Sequence, residues 1–292
     1  MGEARQPFIG SEALADGRMN RHGLRTRYRA AFPNVYVPRQ PPLSLSERIT
    51  AAWLWSGRRA VVAGVAAAAL HGTKWIDRDV PVELIHANPR APDGVITRRE
   101  TLLDGEVQTL GARGGEMRVT VPERTAFDIG RREPLRAAVA RLDALARATN
   151  LAVDDVAALA RRHPRMRGLR RLEHALDLVD PGAQSPKKTY LRLLLTEAGL
   201  PPEQTQIPVP TDDDMYYLDM GWPGCMVAAE YDGDQHLLDR WQYRRDIIRL
   251  EALARMGWIV IRVIAEDRAA GIVARVRQAL QVRGYPPAFS PP

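Results

Sequence analysis

Residues 215–232 read MYYLDMGWPGCMVAAEYD. Two runs rich in aromatic and apolar residues, 215–221 and 225–231, are separated by Pro223-Gly224, the punctuation of two strands joined by a turn. Asp219 falls on the first strand, and Glu230-Tyr231-Asp232 closes the second. Successive strand residues point to opposite faces, so Glu230 and Asp232, two apart, share one. With Asp219 on the neighbouring strand, three carboxylates can meet at one end of a sheet. Like charges this close raise one another's pKa, which folding disfavours unless a cation offsets it. A hard, oxygen-seeking ion, Mg²⁺ or Mn²⁺, suits that role.

Working outward, Ser185-Pro186 is an N-cap followed by proline at the first helical position, and opens an amphipathic helix through Leu191, Leu194 and Leu195 to Gly199. A strand over 204–209 follows, then the polar turn Asp212-Asp213-Asp214, which reads as a solvated hairpin tip. Beyond the quoted stretch a long helix runs from Asp239 to about Arg255, stopped by Gly257. Residues 258–264 are almost wholly apolar, as expected of a strand buried on both faces. A helix over 267–281 precedes a proline-rich tail. The predicted order is αβββαβ: a meander, then a crossover helix to a parallel strand.

That order and those residues resemble the PD-(D/E)xK nucleases. More narrowly, residues 217–223, Glu230-Tyr231-Asp232-Gly233-Asp234-Gln235-His236, residues 244–249 and residues 257–263 resemble a bacterial group related to the very-short-patch mismatch endonuclease Vsr. The resemblance implies metal-assisted hydrolysis of a DNA phosphodiester, with Asp219 and Glu230 as metal ligands. Asp232 stands where the superfamily more often has lysine. His236 would be a proton carrier or a group behind the ligands, with a surface histidine as the other reading. One departure is plain. The family's Ser-Pro-x-Glu is here Ser185-Pro186-Lys187-Lys188, so a carboxylate is missing; Lys188 either replaces the lysine absent from the position of Asp232 or is a solvent-pointing lysine in an inactive nuclease. Arg240, Arg244, Arg245 and Arg249 recur at helical spacing. They either track a DNA backbone or form a solvated face bridged to Asp246 and Glu251.

The rest of the chain reads differently. Ser11 can cap a short helix over 12–16 and Asn20 a second over 21–27; residues 28–32 and 35–37 flank Pro33-Asn34 as a hairpin. Two helices and a hairpin, with arginines at 18, 21, 25, 27 and 29, outline a winged helix-turn-helix in which Arg21, Arg25 and Arg27 meet DNA, or else a helical cap on the next domain. After the proline-rich residues 38–42, a helix beginning at Ser46, a strand at Val61-Val62 and a small-residue helix over 64–70 are expected. Strands at 80–86, 94–98 and 117–121 follow, then helices from Pro122, over 134–148, 153–162 and 167–179. Residues 1 to about 180 resemble the AbiEi-type DNA-binding antitoxins through Asn34-Val35-Tyr36-Val37, residues 66–72 and Pro122-Glu123-Arg124-Thr125-Ala126-Phe127-Asp128. That resemblance implies operator binding and admits a cognate toxin as partner. His71 and Asp128 recur in those motifs, and packing and helix capping rather than chemistry is the role expected of each.

The expected architecture is therefore mixed α/β (α+β). It comprises a winged-helix-like module (1–40), an α/β middle domain with helices (41–180) and a PD-(D/E)xK-like domain (181–292). With 42 Lys and Arg against 35 Asp and Glu, the net charge is +7 and the pI about 9.9. An acidic partner such as DNA fits, and so does a GC-rich gene, since nearly all the basic residues are arginine. A single cysteine, Cys225, excludes an internal disulfide and a Cys-rich zinc site. No apolar run is long enough to span a bilayer and no signal-type N-terminus is present, so a cytoplasmic protein without membrane contact is expected. Walker-A, HExxH and GxSxG patterns are absent. Two functions remain: a metal-dependent DNA endonuclease, or a catalytically inactive DNA-binding regulator of the antitoxin type.

Overall fold

The computed structural model describes residues 6–112, 115–211, 214–233 and 240–285, with side chains of 240–243 excepted. The fold is mixed α+β, and the chain divides into two compact units, residues 1–177 and 178–292.

The first unit opens with β1 (Phe8–Ile9), α1 (Gly10–Ala15), α2 (Arg21–Arg27), β2 (Tyr28–Phe32) and β3 (Val35–Pro38), whose strands form an antiparallel sheet in the order β1-β3-β2. Asn20 caps α2 by accepting from Gly23 N–H at 2.8 Å. The first helix is capped otherwise than its sequence suggests. Ser11 lies inside α1, and Asn34 from the hairpin turn accepts the Ser11 N–H at 3.0 Å. Next, α3 (Leu45–Trp55) starts one residue before Ser46 and carries a complete capping box between Ser44 and Glu47. Then come β4 (Val61–Val62), α4 (Gly64–Leu70), β5 (Val82–Ile85), β6 (Val95–Arg98), β7 (Val107–Ala112) and β8 (Gly115–Thr120). These strands make a mixed sheet in the order β6-β5-β4-β8-β7. One of its faces packs Val62, Leu84 and Val119 against Ile49 and Trp53 of α3 and Ala66 and Ala67 of α4; Phe32 and Val35 of the first sheet join the same core.

Four helices complete this unit: α5 (Pro122–Arg132), α6 (Leu135–Thr149), α7 (Val153–Arg162) and α8 (Leu169–Leu176). The central one, α5, is nearly all buried, and its buried Arg124, Asp128 and Arg131 are ion-paired. Arg124, fully buried, meets Glu106 at 2.5 Å, Glu100 at 2.7 Å and Asp128 at 3.2 Å. Glu106 also lies 2.6 Å from His163 of the segment after α7. Buried charges persist only when paired and hydrogen-bonded, and this network satisfies that condition. His71 Nε2 lies 2.8 Å from the Thr120 carbonyl, and Asp128, inside α5 rather than at its cap, is paired with Arg124 and Arg131.

The second unit runs α9 (Pro186–Glu197), β9 (Gln204–Pro210), β10 (Met215–Trp222), β11 (Val227–Tyr231), α10 (Arg240–Arg255), β12 (Ile259–Val263) and α11 (Ala269–Val282), with a short 3₁₀ turn at Pro223–Cys225. Its sheet has the order β12-β11-β10-β9, with antiparallel neighbours except for the parallel pair β11–β12. Leu191 and Leu195 of α9 and Ile272 and Val276 of α11 cover one face, against Met220, Trp222, Ala229 and Ile261. On the other face, Leu253 of α10 packs on Ile207, Val209, Leu218 and Ala228. The edge strand β9 contains Pro208 and Pro210, which deny a hydrogen-bonding template to another chain.

Candidate functional site

Asp219 lies where β10 changes face. Leu218 packs under α10, yet Met220, two residues on, packs under α9 and α11. The β9–β10 ladder pairs Leu218 with Ile207 and Met220 with Thr205 but skips Asp219 and Gln206, and Gln206 has a φ of 49°. Such irregularities re-aim a side chain relative to a regular strand. Asp219 is thereby turned to the end of the sheet, where its Oδ2 accepts the Tyr231 N–H at 3.0 Å.

Glu230 arrives from β11 on the α10 side and Asp232 follows just beyond the strand. A cavity of about 250 Å³ gathers Asp219, Glu230 and Asp232 with Lys188, Arg249 and Arg262. Each predicted carboxylate has a cationic neighbour. Ser185 Oγ caps α9 by accepting the Lys188 N–H at 3.3 Å. From there the Lys188 ammonium reaches Asp219 Oδ1 at 2.6 Å. Arg249 takes both oxygens of Glu230, Nη1 to Oε2 at 3.1 Å, and also donates to the Tyr217 carbonyl at 3.3 Å. Arg262, directly opposite Glu230 on β12, pairs with Asp232. Burial holds the Glu230 carboxyl above the ordinary carboxylate range, with the charge of Asp219 adding to the rise; Arg249 opposes both without cancelling them.

Two contributors were not anticipated. Arg262 sits in an otherwise apolar strand, and only the register of β11 with β12 brings it to the site. Asp246 also lines the cavity. It precedes Arg249 by three residues on α10, a spacing that places both on one helix face and was legible as such. Asp246 makes no ion pair among the described residues, so four carboxylates face three cations. The remaining candidates distribute as follows. Arg244 and Arg245 are exposed on α10 without an acidic partner among the described residues, while Arg249 turns into the cavity. His236 lies outside the described residues, as do Asp212, Asp213 and the side chain of Arg240. In the first unit Arg21, Arg25 and Arg27 are exposed on α2.

Whether the cavity suits a divalent ion follows from its donors. Asp219 and Glu230 are both largely buried, 9% exposed each, and offer only hard oxygens. Among the described residues no three His, Cys, Asp or Glu side chains group closely enough to enclose an ion. Mg²⁺, though, is commonly held by one or two carboxylates, with waters and phosphate oxygens completing its shell. The surplus carboxylate charge is of the sign such an ion needs. The donor set therefore fits Mg²⁺ or Mn²⁺ on Asp219 and Glu230, with Arg249 sharing or yielding Glu230.

No family model matches this chain, and no solved structure matches it. The chain is 25% identical over 234 residues to the uncharacterized proteins MT2308 and Rv2248 from two strains of Mycobacterium tuberculosis, covering 80% of this chain and 84% of each relative. The likeness therefore extends across both units. Among the described residues no helix is long and apolar enough to cross a membrane.

Proposed function

We propose that the protein binds DNA and that its second unit hydrolyses a phosphodiester with the help of a divalent ion. The observation that carries this reading is the contact of Lys188 with Asp219 inside a cavity that also holds Glu230. A lysine beside paired carboxylates is the combination the resembled nucleases use, reached here from a helix rather than from the position of Asp232. When bound, such an ion polarises the phosphate and makes water a better nucleophile. The chain's own groups have separate tasks. Asp219 and Glu230 hold the ion. Lys188 places positive charge beside the phosphoryl oxygens as negative charge builds on them. Arg249 and Arg262 are available to a DNA phosphate once it competes for them. Arg21, Arg25 and Arg27 on α2, with Arg244 and Arg245 on α10, supply backbone contacts.

The test is cleavage of labelled single-stranded, duplex and mismatched DNA by the purified protein in Mg²⁺ or Mn²⁺, beside Asp219→Asn and Glu230→Gln. Metal-dependent cleavage lost in both variants supports the proposal. A specific observation favours a second reading, an inactive DNA-binding regulator: Asp219, Glu230 and Asp232 are each neutralised by a protein cation. Wild-type protein that binds DNA and leaves it intact in every metal, with Lys188→Glu gaining cleavage, would establish that alternative.

A further inference from the structure

A second cavity, of about 1070 Å³, lies in the first unit on the sheet face opposite the α3–α4 core. Its floor is a single row across four strands. Val61 of β4 pairs with Arg118 of β8 on one side and with Ile85 of β5 on the other, and Ile85 pairs with Arg98 of β6. Directly paired residues point to the same face, so the row reads arginine, valine, isoleucine, arginine. Three strand spacings separate its ends, about 14 Å. Arg59, two residues before Val61, and Arg99 stand at the rim.

The charges do not cancel. Arg98 is occupied by Glu83 at 3.1 Å, and Glu100, the acid lining the cavity, is occupied by Arg124 at 2.7 Å and Arg132 at 2.6 Å. Arg59, Arg99 and Arg118 have no acidic partner among the described residues. Burial first, and then the charge of Arg59, hold the His86 imidazole below its ordinary range and favour its neutral form. Scattered surface arginines would point away from one another. These three border one cavity with an apolar floor.

Guanidinium groups match phosphate oxygens, and ligand pockets span roughly 300–1,000 Å³, so this one accommodates more than a single anion. Val61 and Ile85 are themselves buried, but His86 and Leu102, both half-buried, also line the cavity, and a ring and an apolar side chain beside surplus arginines suit a planar base attached to phosphates. We propose that this cavity binds a nucleotide, its phosphates on Arg59, Arg99 and Arg118 and its base against His86 and Leu102. The nucleotide is either free or a unit of a single strand.

Calorimetric titration of the full chain with ATP, inorganic tripolyphosphate and a short oligothymidylate tests this. ATP should bind more tightly than tripolyphosphate, which has as many phosphates but lacks the nucleoside, and binding should weaken with salt. Arg59→Ala with Arg118→Ala should reduce ATP affinity at least about tenfold, the scale of one lost charge-assisted contact. Both side chains are exposed, and an unchanged melting temperature would show that the fold is retained. Oligothymidylate that displaces ATP and weakens equally in the double variant identifies a strand as the source, and the site stands. Equal affinity for tripolyphosphate and ATP removes the base and overturns the nucleotide assignment. Absence of binding by every probe, or a double variant that binds as wild type does, overturns the site itself.

Discussion

Lys188 and Arg249 hold the two buried carboxylates of the second unit from opposite sides of the sheet, and they should respond differently to substitution. Lys188→Ala removes the partner of Asp219, and we expect it to abolish cleavage while raising affinity for Mn²⁺, because a competing cation is gone. Mn²⁺ titration followed by melting temperature reads the second effect without reference to activity; unchanged affinity would mean that Lys188 does not compete for the ion's site. The Glu230 carboxyl, raised by burial, gives a signed dependence on pH. The folded protein retains a proton there that the unfolded chain has already released. Stability contributed by this group therefore falls as pH climbs from the ordinary carboxylate value through the raised one. Melting curves across acidic pH should show that loss in wild type and a flatter profile in Glu230→Gln. Parallel profiles would show that Glu230 is not the titrating group.

Among the elements, β10 and α5 are the least tolerant. A Cβ at Gly221 would sit 2.8 Å from Ala228 Cα and against the Val227 carbonyl, both of them backbone of β11. Gly221→Ala should cost about 1–3 kcal/mol through forced separation of the two strands, measurable by denaturant unfolding; a neutral result would mean that the strands part without loss. Arg124→Met leaves Glu106, Asp128 and Glu100 short of a buried cation, a loss of about 3–5 kcal/mol. Elements with local signals were legible from sequence: α2 from Asn20, α9 from Ser185-Pro186, β12 from a run that is apolar but for Arg262. Two strands were missed. Phe8–Ile9 is only a residue pair, and Val107–Ala112 is half exposed and contains Gly111, so neither carries a strand's alternation. The cap of α1 was misplaced on Ser11 because Asn34 supplies it from 23 residues away. The site divides the same way. Asp219, Glu230 and Asp232 follow from spacing along strands, whereas Arg262 depends on pairing between β11 and β12, which no local pattern specifies.

For the whole molecule, separate cores in the two units predict separable unfolding. Arg124→Met should lower one calorimetric transition and Gly221→Ala another; a single transition shifted equally by both would contradict this. If Arg21, Arg25 and Arg27 contact DNA, changing all three to alanine should flatten the dependence of binding on salt, since each lost phosphate contact releases fewer counterions. An unchanged slope would move the DNA surface to α10. The parallel pairing of β11 with β12 bears on biosynthesis. Glu230 lies opposite Arg262, and the Asp232 amide is bonded to the Val263 carbonyl at 2.8 Å, across a connection that includes all of α10. A ribosome delivers Asp219 and Glu230 well before it delivers that partner strand. Until residue 263 has left the exit tunnel, the nascent chain holds its acidic residues against an open strand edge with neither Arg262 nor β12 in place. The acidic cluster can therefore reach its paired arrangement only once residue 263 has been translated, and a message cut short before that codon yields a chain in which Glu230 and Asp232 lack that partner strand.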